Sequence, residues 1–210
     1  MRKIITQIII IIALVSCNGQ IVSKKDNNKY VTAKKEFDSV LVSHFPKMLN
    51  SYPYTYINNK NISKNDVCFM LYEYNVDSLK IDSIFKNTKY KSVANYSSKD
   101  SCILIVNRFE TKETYDNRKD VEILDPLLIN KECYKNMHPV PNFNIYESDT
   151  GFKSNNSLNI YVLEAKSGIF FPSYQSQPDI QMPKNWENGY SRGIAISKEK
   201  RTVIYWSIIW

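Results

Sequence analysis

The C-terminal sequence GIAISKEKRTVIYWSIIW, Gly193 to Trp210, decides the fold. Its two apolar runs, Gly193–Ser197 and Thr202–Trp210, are rich in β-branched and aromatic side chains, which suit a pleated, packed surface. Lys198-Glu199-Lys200-Arg201 separates them at the length of a polar hairpin connection. In the second run Ile204, Trp206, Ile208 and Trp210 alternate with Val203, Tyr205, Ser207 and Ile209. Successive strand residues point to opposite faces, so both faces of this strand are largely apolar. The chain is therefore expected to end inside its own sheet, with material covering both sides.

Further strands are expected at Val67–Tyr74, Cys102–Val106 and Leu158–Glu164, each a run of β-formers or apolar residues. Asp77 is placed to cap a helix bearing Leu79, Ile81, Ile84 and Phe85. Over Val31–Met48 the residues Phe37, Val40, Leu41 and Phe45 recur at helical spacing, with His44 at the helix edge and Pro46 ending the element. Tyr52-Pro53 turns the chain into the aromatic stretch Tyr54, Tyr56, Ile57, and Asp125-Pro126 starts a short helical turn through Ile129. His138-Pro139-Val140-Pro141 is extended, because proline and the residue before it avoid the helical region. The pattern is α+β: a mainly antiparallel sheet of about five strands with two or three helices. It forms one globular domain over residues 31–210, and a chain of that size buries a core without staples.

At the other end, Arg2 and Lys3 precede a mostly apolar run, Ile4–Val15, shorter than the ~20 residues of a membrane span. The run closes on Leu14-Val15-Ser16-Cys17, which resembles the lipobox of bacterial lipoproteins. The resemblance covers only this end of the chain. It implies that residues 1–16 are a removed signal peptide and that Cys17 becomes a lipidated N-terminus, with a diacylglyceryl group on sulfur and an acyl chain on the amine. Stable anchoring takes more than one chain, which such a cysteine supplies. Asn18 stands where an Asp retains such lipoproteins at the inner membrane, so the outer membrane of the cell envelope is the expected location. Residues 17–30 are polar, with Lys24, Lys25, Asp26, Asn27, Asn28 and Lys29, and are expected to be a flexible tether.

The net charge of +7 becomes +5 once Arg2 and Lys3 leave with the signal. The cations are scattered, which is the pattern of a solvated surface, and an envelope location argues against nucleic acid as a partner. The membrane, reached through Cys17, is the expected partner, with a protein or an anionic envelope ligand as a second. Cys68, Cys102 and Cys133 remain, an odd number. Cys68 and Cys102 open apolar runs in which a buried thiol is the ordinary role, and an oxidising compartment also permits a bridge between them.

Few residues suggest chemistry. Cys133 and His138 are the only thiol and imidazole close in sequence, and a hydrolase using them needs an acid such as Glu147 or Asp149 beside them. Gly189-Tyr190-Ser191-Arg192-Gly193 offers a guanidinium able to grip a carboxylate or phosphate between glycines, or else the glycines simply lead into the strand. Tyr190, Trp186, Tyr174, Phe170 and Phe171 form a candidate aromatic wall. Arg192, Tyr190, Trp186 and His138 are accordingly the candidate binding residues. No cofactor motif is present, two histidines without clustered thiolates argue against a metal site, and Asp116–Asp120 lacks the spacing of a calcium loop. Asp38-Ser39-Val40, Asp77-Ser78-Leu79 and Asp82-Ser83-Ile84 resemble an O-glycosylation signal of some envelope bacteria. The sequence thus points to a membrane-anchored envelope lipoprotein of binding, inhibitor or immunity type, with an envelope hydrolase on Cys133 and His138 as the alternative.

Overall fold

The structure is a computed structural model that describes residues 22–60, 67–110, 121–123, 125–143, 157–170 and 177–210, together with Thr114 and Asn117. The signal and lipobox residues, Glu147, Asp149, Phe171 and Tyr174, and most of the charged segment after Glu110 lie outside the described residues.

The C-terminal hairpin forms as its pattern requires. Strand β7, Gly189–Ser197, pairs antiparallel with β8, Thr202–Ile209, from Tyr190↔Ile209 to Ser197↔Thr202. β8 is buried at every residue. Around this pair a six-stranded sheet is built with β1 (Tyr54–Asn59), β2 (Val67–Glu73), β3 (Ala94–Ser97) and β6 (Asn159–Ser167). The order is β1-β2-β8-β7-β6-β3, and every neighbouring pair is antiparallel. With the helices below, this is the expected α+β class with a mainly antiparallel sheet. The run Cys102–Val106 does not enter that sheet. Only Ile105–Val106, β4, forms a strand, in a parallel pair with β5, Val140–Pro141.

Two layers cover the sheet. Helices α1 (Lys24–Lys35), α2 (Ser39–Val42) and α3 (Ser78–Lys91) lie on one face. There Tyr30, Ala33, Val42, Phe45, Leu49 and Ile81 pack on Phe69, Leu71, Tyr161, Ile194, Ile196, Val203 and Tyr205. The other face carries Cys68, Met70, Ile160, Val162, Ile204, Trp206, Ile208 and Trp210 against Ile103–Val106, Tyr134, Val140, Phe143, Met182 and Trp186. This second layer is mostly irregular chain, tied together by β4 and β5.

The glycines of β7 are packing positions. Gly193 is registered against Trp206, and a Cβ there would stand 2.4 Å from the indole and 2.2 Å from the Tyr161 carbonyl oxygen. Gly189 exchanges both backbone hydrogen bonds with Trp210, and its Cβ would meet the Trp210 ring at 2.9 Å. Each tryptophan at the end of the chain lies over a strand glycine that leaves room for it.

The segment expected to be tether through residue 30 is corrected. From Lys24 it is α1, capped by the Ser23 side chain, which accepts from the Asp26 N–H at 3.1 Å. Tyr30 is fully buried, donates its hydroxyl to the Pro46 carbonyl at 2.8 Å, and packs on Phe69 and Tyr56. The Asn27 side chain accepts from the Leu49 N–H. One aromatic anchor and a few hydrogen bonds hold a helix whose composition is otherwise polar. The helix expected over residues 31–48 is likewise interrupted: Asp38 accepts from the Val40 N–H and starts a separate four-residue helix. A short polar side chain bonding its own backbone competes with helix continuation. Asp77 caps α3 as expected, accepting from Leu79 and Lys80. Glu73, wholly buried, accepts from the Asn50 N–H and from Lys80.

Replacing Gly193 by Ala is expected to lower the unfolding free energy by about 1–3 kcal/mol, because the added methyl displaces Trp206 or the Tyr161 carbonyl. Gly189→Ala should cost less, its clashes being milder. Urea titration followed by tryptophan fluorescence checks both, and unchanged midpoints would contradict the packing.

Candidate functional site

Along the helical face, where α1 passes into α2 beside the β7–β8 pair, an open groove of 640 Å³ runs between Phe37, Val40, Leu41, Val67, Phe170, Tyr190 and Ile209. Its wall is apolar and aromatic. The Tyr190 ring meets Phe170 edge-on at 4.6 Å, and Phe170 itself is 45% exposed, as an aromatic held for contact would be. Glu36, Asp38 and Lys60 supply charge at the rim, with Glu36 and Lys60 paired to each other.

Arg192 lies two residues along the same face of β7, and each nitrogen of its half-buried guanidinium has a partner within the protein. Nε and Nη2 both contact Glu164 Oε2 at 2.9 Å, while Nη1 donates to the Val40 carbonyl and to Ser43 Oγ, each at 2.8 Å. Arg192 therefore fastens α2 to the sheet. The free anion grip expected of it does not form. Glu164, bonded by Lys166 first, then by Tyr190 and Arg192, is held from its ordinary 4.5 down to about 2.

His44 reaches the sheet beside this junction, one residue past the α2 cap. Nε2 faces the Gly193 carbonyl at 3.1 Å and the Trp206 carbonyl at 3.0 Å, so the ring is assigned the Nε2–H tautomer, donating to both. Nδ1 is buried. Burial, then the Arg192 charge, lowers its pKa to about 3, so the ring is neutral at physiological pH. It serves as a structural donor that joins the helical layer to the Gly193–Trp206 pair.

Trp186 and His138 lie on the opposite side of the sheet. Trp186 is buried against Trp210, whose Nε1–H donates to the Trp186 carbonyl at 2.7 Å, and the His138 ring is 6.3 Å from the Trp186 ring. The His138 backbone N–H donates to the Tyr96 hydroxyl. The four candidate binding residues thus divide between two faces of one sheet: only Tyr190 borders the groove, with Arg192 supporting it from within.

The cysteine pairing is also corrected. Cys102 and Cys133 form a disulfide, with Cα atoms 6.0 Å apart, and Cys68 is buried in the core on β2. A bridge between residues 31 apart depends on how the irregular layer folds back, which local sequence does not reveal. Sulfur bonded to Cys102 leaves Cys133 without a nucleophilic thiol. The disulfide staples the irregular layer, as does Arg108, which donates to the Tyr134 hydroxyl and the Leu128 carbonyl. Nearby Asp179 accepts from the Gln181 N–H at 2.8 Å, and burial raises its carboxyl from 3.8 to about 6.

Among the described residues no group of His, Cys, Asp and Glu side chains gathers as a metal site. No described helix is long and apolar enough to cross a membrane. Comparison with protein-family models, curated proteins and solved structures found no match. The groove was half legible in sequence, through the Tyr190 and Phe170 aromatics; its α1–α2 wall was not, because the break at Asp38 was read as continuous helix.

Glu164, depressed in the folded state, contributes stability that is complete above pH 4.5 and lost as pH falls toward 2. Asp179, raised, contributes stability that is present below 3.8 and lost as pH rises through about 6. Glu164→Gln should flatten the acid limb of a stability-versus-pH curve and Asp179→Asn the limb between 3.8 and 6, measured by thermal unfolding. Iodoacetamide on the native, unreduced protein should leave Cys102 and Cys133 unmodified, and reducing their bridge should cost ~3–4 kcal/mol of stability for a loop of this length. Mass spectrometry that finds Cys133 alkylated without reductant would restore it as a candidate nucleophile.

Proposed function

We propose that this chain is a lipid-anchored protein of the bacterial cell envelope that acts by binding, in an inhibitor or immunity-type role, without a catalytic step of its own. The observation that carries the reading is the sequence Leu14-Val15-Ser16-Cys17 at the end of a short apolar run. A folded domain follows within a few residues, as suits a body held close to a membrane. The groove supports a binding role: its floor is apolar, with Tyr190 buried and Phe37 half-buried, and Phe170 stands exposed at its edge, an arrangement that suits the anchoring side chain of a protein partner. The hydrolase alternative is not carried further, because its proposed nucleophile, Cys133, is consumed by the bridge to Cys102.

The test is expression in a diderm bacterium of the wild type beside Cys17→Ser. Wild type should gain the mass of a diacylglyceryl group and an acyl chain, lose residues 1–16, and fractionate with the outer membrane. Cys17→Ser should do none of these. A wild type that is soluble and unacylated would remove the anchor and with it this location.

A further inference from the structure

We propose that the outward face of α1 is a second membrane contact, a cationic stripe that seats the domain on anionic phospholipid headgroups. The inference rests on the lipid-anchor reading and adds an orientation to it. Lys24, Lys25, Asn28, Lys29, Thr32 and Lys35 are the exposed residues of the helix. Steps of three and four residues set them along one side, away from the buried Tyr30 and Ala33.

The exposed acid on this side, Glu36, is paired with Lys60, so the charge left without an ion pair among the described residues is positive. Other ionic groups of the helix and its end are engaged: Asp26 accepts from Ser23, Lys34 donates to the Pro46 carbonyl at 2.7 Å, and Glu36 pairs with Lys60. Lys24, Lys25, Lys29 and Lys35 make no ion pair among the described residues. A shallow depression of 740 Å³ lies along Lys24, Lys25, Asn28, Lys29 and Thr32 and reaches Tyr56 and the Lys60-paired Glu36, with three lysines at one end and room for a phosphate-bearing headgroup there. The stripe exposes no large apolar side chain, so its contact is electrostatic and stays at headgroup depth instead of entering the hydrocarbon.

Position supplies the second argument. Six residues lie between Cys17 and Lys24, which makes seven residue steps, and a fully extended chain spans at most ~3.5 Å per step. The start of α1 is therefore confined to about 25 Å of the anchor, and a membrane field that decays over ~8 Å acts on it at high effective concentration. A basic residue near an anionic surface is worth a factor of roughly five in the docked-to-undocked ratio. A soluble acidic partner would have no such confinement.

The experiment uses the acylated protein purified from membranes, carrying Asn28→Cys labelled with a fluorophore; Cys102 and Cys133 are bridged and Cys68 is buried. It is reconstituted into vesicles of phosphatidylcholine alone or mixed equally with phosphatidylglycerol, with a headgroup-attached quencher. Quenching is expected in the anionic vesicles, relieved by high salt. In Lys24→Gln/Lys25→Gln/Lys29→Gln the docked-to-undocked ratio should fall roughly 100-fold. Equal quenching in neutral and anionic vesicles, or no loss in the triple variant, overturns the proposal. A change in label emission on adding a soluble acidic polysaccharide, with no response to phosphatidylglycerol, assigns the stripe to a polysaccharide and also overturns it. Intact mass separates the two readings: an unacylated product defeats the anchor and the orientation together, whereas an acylated product that stays undocked defeats only the orientation.

Discussion

The structure depends on a strand that is apolar on both faces. β8 places Trp206 and Ile208 on one side and Val203 and Tyr205 on the other, all buried. A strand of this kind is stable only in the middle of a sheet with a layer on each side, and the fold follows from meeting that requirement. β2 and β7 flank it. Gly193 and Gly189 let the tryptophan rings lie close to the neighbouring strand, and the remaining volume on that face is filled by the segment around Ile103–Val106, Val140 and Phe143. That layer has little regular structure of its own, which is why a disulfide, two short parallel strands and the buried Arg108 are found there.

The opposite layer is recruited from the N-terminal part of the domain. α1 contributes Tyr30, α2 contributes Val42, and Phe45 follows, all converging on Phe69 and its neighbours. The junction is polar: Arg192 bridges Glu164 to the last turn of α2, and neutral His44 donates to the carbonyls of the Gly193–Trp206 pair. Arg192 stands out in sequence as a candidate anion grip, yet it and His44 both act in the fold as fasteners. The aromatic groove exists because they hold α2 at a set distance from Tyr190.

What could be read from sequence follows a physical division. The hairpin from β7 to β8, most of β2 and the Asp77 cap of α3 were legible because period-two patterns, capping side chains and a short polar connection are local signals. β3 was not, since Ala94–Ser97 is a half-exposed edge with no apolar run. α1 was misread as tether because composition averages over residues, while its stability rests on one buried tyrosine and the Asn27 and Ser23 hydrogen bonds. The cysteine pairing and the engagement of Arg192 are properties of tertiary contact, joining residues 31 and more than a hundred apart. Of the candidate site residues, Tyr190 lines the groove as a buried residue; Trp186 and His138 fell to the other side of the sheet.

α1 is part of the folded body, so the folded domain begins at Lys24 and not after residue 30. Native-state hydrogen exchange resolved by residue tests this most directly. The account predicts that the amides of Asn27 to Lys35 are protected to a degree comparable with those of α3, and that β7 and β8 exchange slowest of all. Exchange of the α1 amides at the rate of an unstructured peptide, with β8 still protected, would contradict it and return the segment to a flexible tether.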